Sequence, residues 1–232
     1  MNKQIKGLLY FYLTHMRYSV LIFWAILLSI LIISLVTSYL LNDSDGVMMM
    51  TLTIPIYFYI GIIGYVIVKN WLPFTIKIGA TRKNIYFSIA IFFIALALVF
   101  SMIAMLIQEI ITPLADQLNM TNFSFMHIGH FVNDAWYARV LIDIFISLFI
   151  FSLSFLIGLL QYRFGLVISM SLMGIVLFVS MLGVFQGWLI KFFIDIFSNL
   201  NLNLFLMIGL MTIIIYGLTW ILLRRTTTIS VR

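Results

Sequence analysis

The stretch Ile26-Leu27-Leu28-Ser29-Ile30-Leu31-Ile32-Ile33 decides the fold. It is apolar almost throughout and does not alternate with period two. A strand of a membrane barrel must show lipid on one face and lumen on the other, so it alternates. A helix satisfies its own backbone in lipid and tolerates apolar side chains all round. Extended outward, the run reaches from residue 19 to 41. That is enough for a helix rising about 1.5 Å per residue to cross about 30 Å of hydrocarbon. Five more stretches have the same character, over residues 47–68, 85–108, 137–160, 166–187 and 204–223. The fold class is therefore all-α: a polytopic membrane protein with six transmembrane helices.

Composition agrees. Of 232 residues, 64% are hydrophobic and 9% charged, and the mean hydropathy is +1.20. Soluble domains carry about 25% charged side chains, so this inventory cannot coat a water-soluble surface. Cysteine is absent, which removes disulfides, thiolate metal sites and a cysteine nucleophile. No cleavable leader is expected, because the first apolar run is longer than a signal-peptide core and lacks a small-x-small cleavage site.

The charges sort by side. With the N-terminus placed in the cytoplasm, the inner segments hold Lys3, Lys6, Arg17, Lys69, Lys77, Arg82, Lys83, Arg163, Arg224, Arg225 and Arg232, and no acid. The outer segments hold Asp43, Asp45, Glu109, Asp116, Asp134 and Asp195. Lysine and arginine resist translocation, so both termini are expected in the cytoplasm. The net charge of +6 is explained by these membrane-flanking cations and does not call for nucleic acid as a partner.

Three organisational units follow: an amphipathic interfacial helix over 1–18, a six-helix domain over 19–223, and a cytoplasmic tail over 224–232. In the first, Ile5, Leu8, Leu9, Tyr12, Leu13 and Met16 share one face, opposite Lys3, Lys6, Tyr10 and Arg17, the pattern of a helix lying in the headgroup plane. Residues 42–46 read as a tight outer turn. Residues 69–84 are the longest inner connection, and Trp71, Pro73 and Gly79 argue against one uninterrupted helix there. Residues 109–136 form the longest outer loop. Residues 186–203 carry a second amphipathic pattern, with Leu189, Phe192, Phe193, Ile196, Phe197 and Leu200 on one face and Lys191 and Asp195 on another. Gly61-x-x-Gly64 and Gly183-x-x-x-Gly187 have the small-residue spacing that lets helices approach closely.

Chemistry-bearing residues are few. No phosphate-cradling G-x-x-x-x-G-K-[ST] loop occurs, so any ATP use must belong to a partner. His127 and His130 form an H-x-x-H with Glu109 and Asp134 as further ligand candidates, but without H-E-x-x-H they read as interfacial loop histidines, and no metal is expected. Asp143 is the one acid within a span, a turn after Arg139. The two are expected to pair, either as an outer gate or as a structural ion pair near the headgroups. The second span carries Thr51, Thr53, Tyr57, Tyr59 and Tyr65, the most polar set on any crossing helix, and is the candidate translocation path. No catalytic constellation is present, and the chain reads as a non-enzyme.

The layout resembles the type-2 ABC permeases, the membrane subunits of ABC exporters. The shared features are an amphipathic helix before the first span, a cytoplasmic connection between the second and third, six spans with both ends inside, and a short amphipathic outer element before the sixth. Ile78-Gly79-Ala80-Thr81-Arg82-Lys83 is similar to the small-residue and Thr/Ser-Arg segment that leads into the third span of bacterial members. The resemblance implies a coupling region at Trp71, Pro73, Phe74, Lys77, Gly79, Thr81, Arg82 and Lys83, seated on an ABC ATPase subunit that binds ATP and Mg. This chain itself would hold no cofactor. It further implies two ATPases per complex, a second permease subunit (identical or homologous), and residence in the bacterial cytoplasmic membrane. The small size and lack of a large outer domain resemble compact exporters of phenol-soluble modulins and bacteriocin-like peptides, implying an amphipathic, membrane-active cargo. Two readings from other classes compete: a non-transporting immunity or interaction protein, and an ion-coupled secondary carrier.

Overall fold

A computed structural model describes residues 3–41, 48–118, 120, 122–132 and 135–224. The expected turn at 42–46, the ligand candidate Asp134 and the tail beyond Arg224 lie outside them. The described chain is overwhelmingly helical: α1 (Lys3–Leu40), α2 (Thr53–Val66), a π-helical segment (Ile67–Trp71), α3 (Leu72–Lys77), α4 (Arg82–Gln117), α5 (Trp136–Phe185), α6 (Trp188–Ser198) and α7 (Leu202–Leu223). Among the described residues, five helices are long and apolar enough to cross a membrane, with α2 through α3 forming one of them. This is the build of a multi-pass, all-α membrane protein.

The separate interfacial helix merges into the first span. No proline interrupts α1, and Gly7 sits in open space, so nothing breaks the ladder where the polar run around Arg17 and Tyr18 ends. At about 1.5 Å per residue, the 38 residues extend about 57 Å. The face formed by Leu8, Tyr12 and Met16 is buried. It covers protein: Tyr12 stacks on Trp71 with ring centroids 5.5 Å apart and meets Phe92 at the same distance.

The connection expected over residues 69–84 is shorter than that. The helix of α2 runs on through the π segment and Pro73 to Lys77. A proline cannot donate to the ladder; here it occupies the second position of α3, directly after a wide turn of the kind that relieves such a ladder. Only Ile78–Thr81 then links α3 to α4. Gly79, at φ +79°, makes the left-handed turn, and Thr81 caps α4 by accepting from the Asn84 amide at 3.4 Å.

Helix directions follow from named contacts. Tyr59 donates to Ser19 while Trp71 stacks on Tyr12, so α1 and α2 are antiparallel. Tyr12 meets Phe92 and Trp24 meets Phe100, so α1 and α4 are parallel. Phe93 stacks on Phe151, and Glu109 lies near Arg139, so α4 opposes α5. Phe145 touches Gly209, and Phe155 stacks on Tyr216, so α7 runs with the first part of α5.

That last relation requires a reversal inside α5. Gly165 has φ 84° and ψ 171° and divides α5 into arms 136–164 and 166–185. A straight α5 would carry the chain about 60 Å past Phe145 by Phe185. Yet α7 begins about 10 Å on the other side of that level. The 11-residue α6 covers about 16 Å, and the few residues flanking it add about 3.4 Å each. They cannot close the gap, so the second arm folds back at Gly165.

At the end remote from Gly79, two connections that looked independent are joined. Met48–Met50 and Phe123–Phe125 pair as a two-stranded parallel ladder, with Met48 opposite Phe123 and Met50 opposite Phe125. The second span therefore starts at Thr53 rather than residue 47, and α4 continues past residue 108 to Gln117. Gly61 and Gly64 do mediate close helix approach, against Ile150, Phe151 and Ser154 of α5. Gly183 and Gly187 do not: the Trp188 indole covers Gly183, and Gly187, at φ +76°, makes the turn into α6.

Candidate functional site

Asp143 is held by two residues distant in sequence. The first arm of α5 is pinned to α2 by glycine contacts, so the Tyr57 hydroxyl reaches Asp143 and donates to its Oδ1 at 2.5 Å. From the other side, His127 Nε2 lies 3.0 Å from the same oxygen. His127 and Asp143 are both buried. The Gly129 amide donates to His127 Nδ1 at 2.8 Å, so Nδ1 is the acceptor nitrogen. The proton of the neutral ring therefore sits on Nε2, where it is donated to Asp143.

A carboxyl group buried in this way needs hydrogen-bond donors. Moving a carboxylate into a low-dielectric interior costs several kcal/mol. Hydrogen bonds to a charged group return about 1.5–3 kcal/mol each, and Asp143 accepts two on one oxygen. The cluster ties together α2, α5 and the segment 122–132.

The expected pairing of Arg139 with Asp143 is not formed. The carboxylate turns toward Tyr57 and His127, while Arg139 lies 4.0 Å from Glu109 on α4. One helical turn makes two residues neighbours on a face, but an interior acid takes donors from whichever helices pack over it. His127 is likewise not a solvated loop histidine. Both of its ring nitrogens are engaged, and among the described residues no three His, Asp or Glu side chains converge on a metal-sized site.

The candidate path residues of the second span divide between two faces. Tyr57 and Tyr65 point at α5, the latter donating to Gln161 Oε1. Tyr59 faces α1, donating to Ser19 at 2.9 Å and stacking on Phe23 at 4.2 Å. Thr51 and Thr53 share a hydroxyl contact at 3.2 Å, with Thr53 buried. Ile54, Tyr57, Phe58, Gly61, Ile62 and Tyr65, a single stripe at helical spacing, line an open groove of about 520 Å³ beside Ile150. The hydroxyls of Tyr57 and Tyr65 are directed to Asp143 and Gln161. The wall thus presents tyrosine rings rather than the free hydroxyls that a polar span implied.

At the opposite end, the residues read as a coupling region are brought together around α1. Trp71 packs among Phe11, Tyr12, His15 and Phe92, and Phe74 stacks on Phe11 at 4.9 Å. Pro73 lies in the first turn of α3 and Lys77 in its last. Gln4 clasps the connection: its Nε2 donates to the Gly79 carbonyl at 3.3 Å, and its Oε1 accepts from the Asn84 side chain and, at 3.4 Å, from the Thr81 hydroxyl. Arg82 Nε is buried without a hydrogen-bond partner, whereas Lys83 is exposed. Sequence reading missed Gln4 and His127 as members of these sites. For His127 a signal existed, since the one intramembrane acid needs donors; for Gln4 none did.

Compared with protein-family models, curated proteins and solved structures, the chain matches none.

Proposed function

We propose that this chain is the permease subunit of an ATP-driven exporter of amphipathic, membrane-active peptides. It would cross a bacterial cytoplasmic membrane six times, with α5 counted as two crossings about Gly165 and both termini inside. The alternation of helix directions supports that count. So does the clustering of Lys3, Lys6, Lys69, Lys77, Arg82 and Lys83 at the end where Gln4 meets Gly79.

The observation that carries the reading is the seating of the Ile78–Thr81 connection. It is short, capped by Thr81 and clasped by Gln4 to α1, with Trp71 and Phe74 packed behind it. A connection held in this way moves α1, α2 and α4 together when pushed, which is what a separate ATPase closing on ATP and Mg requires of its membrane partner. The groove along α2 suits the apolar face of a peptide that enters from the lipid.

Proteoliposomes holding this chain and its co-purified ATPase should move a labelled amphipathic peptide only with hydrolysable ATP. The double substitution Arg82→Glu/Lys83→Glu should leave insertion intact and weaken ATPase association, because reversed charges at a docked surface repel. Full association and transport by that variant would remove the coupling assignment. Protection of cells by this chain alone, without ATP, would instead establish an interaction protein.

A further inference from the structure

We infer that His127 is the proton acceptor of a latch that keeps the turn 128–132 closed on the His127 side chain at neutral pH and opens it in acid. The latch is the bond from the Gly129 amide to His127 Nδ1, at 2.8 Å. It requires an unprotonated Nδ1. A second proton on the ring would place N–H against N–H, so proton uptake and departure of the Gly129 amide are one event.

The other nitrogen favours that event. Nε2 already points at Asp143 Oδ1 at 3.0 Å, so the added charge forms an ion pair with a buried carboxylate. Asp143 Oδ1 also receives a hydrogen bond from Tyr57, so the carboxyl group is held in place facing the ring. Histidine is also the side chain that ordinarily titrates between neutral and mildly acid pH.

Release has a defined structural consequence. His127 caps the 3₁₀ turn Ile128–Phe131 through this bond. The turn is otherwise closed by the His130 amide on the His127 carbonyl and the Val132 amide on the Gly129 carbonyl, both at 3.1 Å. Gly129 is buried, and a Cβ placed on it would lie 2.8 Å from both His127 Nδ1 and Arg139 Cγ. The Arg139 side chain therefore packs directly against the turn. Among the described residues, the charged and titratable groups near His127 are Asp143 and Arg139 on α5, Tyr57 on α2 bound to Asp143, Glu109 on α4 beside Arg139, and His130 on the turn itself. His130 is exposed.

Hydrogen exchange of the full chain in lipid nanodiscs tests this without knowledge of any cargo. After correction for intrinsic rates, amides 128–132 should lose protection at least about tenfold between pH near 7.5 and near 5.5, while α4 is unchanged. In His127→Asn, the side-chain oxygen can still cap Gly129 but cannot take up a proton, so the pH dependence should vanish. His130→Gln should keep it. Equal corrected protection at both pH values overturns the latch, as does a dependence that survives His127→Asn or disappears in His130→Gln. Ring ¹⁵N spectra of the unsubstituted protein give an independent check. One histidine should carry its proton on Nε2 at neutral pH and gain a second in acid, and a Nδ1–H tautomer for His127 at neutral pH would also overturn the assignment.

Discussion

Tyr86 and Tyr216 are bound to each other twice. Each hydroxyl donates to the other residue's main-chain carbonyl, at 2.9 and 2.8 Å, and the rings stack with centroids 4.5 Å apart. The pair closes the start of α4 onto the later half of α7, where Thr219 is buried and Trp220 also meets the Tyr86 ring at 5.1 Å. Interhelical hydrogen bonds in membrane proteins average about 0.6 kcal/mol. Tyr86→Phe and Tyr216→Phe should each lower unfolding stability by about 0.5–1 kcal/mol, with stacking retained, as read by denaturant titration in detergent. No change in either variant would mean that the hydroxyls contribute nothing to α4–α7 closure.

The reversal of α5 depends on one residue. A φ of 84° with ψ of 171° is open almost only to glycine. Gly165→Ala should therefore cost about 1–3 kcal/mol and lower the yield of folded protein, although nothing lies within 4 Å of an added Cβ. Gly174→Ala is the matched control: it lies within a helical arm, also with nothing nearby. There alanine should be neutral, or stabilise by up to about 1 kcal/mol. Equal behaviour of the two variants in thermal unfolding would place the reversal elsewhere.

The α2–α5 contact is set by backbone proximity. A Cβ at Gly64 would lie 3.0 Å from Ser154 Cβ and 3.1 Å from the Phe151 carbonyl, and one at Gly158 would lie 2.9 Å from Val68 Cβ. Gly64→Val should push the helices apart and cost about 1–3 kcal/mol through overpacking. Because Tyr57 and Asp143 lie along the same interface, the variant should also weaken their bond, seen as faster exchange in the segment anchored by His127. Normal stability with an unchanged exchange pattern would contradict this packing.

Sidedness can be read by labelling, since the chain has no cysteine of its own. Ser124, on the short ladder, and Lys77, at the end of α3, are both exposed at opposite ends of the bundle. With both termini inside, an impermeant thiol reagent on intact cells should modify Ser124→Cys and spare Lys77→Cys until the cells are opened. The reverse pattern would invert the orientation.

The sequence by itself determined the all-α, multi-pass membrane class, because hydrophobic run length is a local property and lipid leaves a backbone few alternatives. It also located the short α6 before the last helix and the connection around Gly79, where periodicity and glycine speak directly. What only the tertiary structure decided were the partners. Helical spacing put Arg139 and Asp143 on one face, but the partners of Asp143 are Tyr57 and His127, which reach it from other elements. The tyrosines of α2 read as a polar path, yet packing directs two of their hydroxyls to Asp143 and Gln161 and leaves ring faces along the groove. Met48–Met50 read as the start of a span, and became a strand because Phe123–Phe125 lay beside it. In each case the sequence states which groups need a partner, while the choice of partner depends on which distant helix or strand is packed against them.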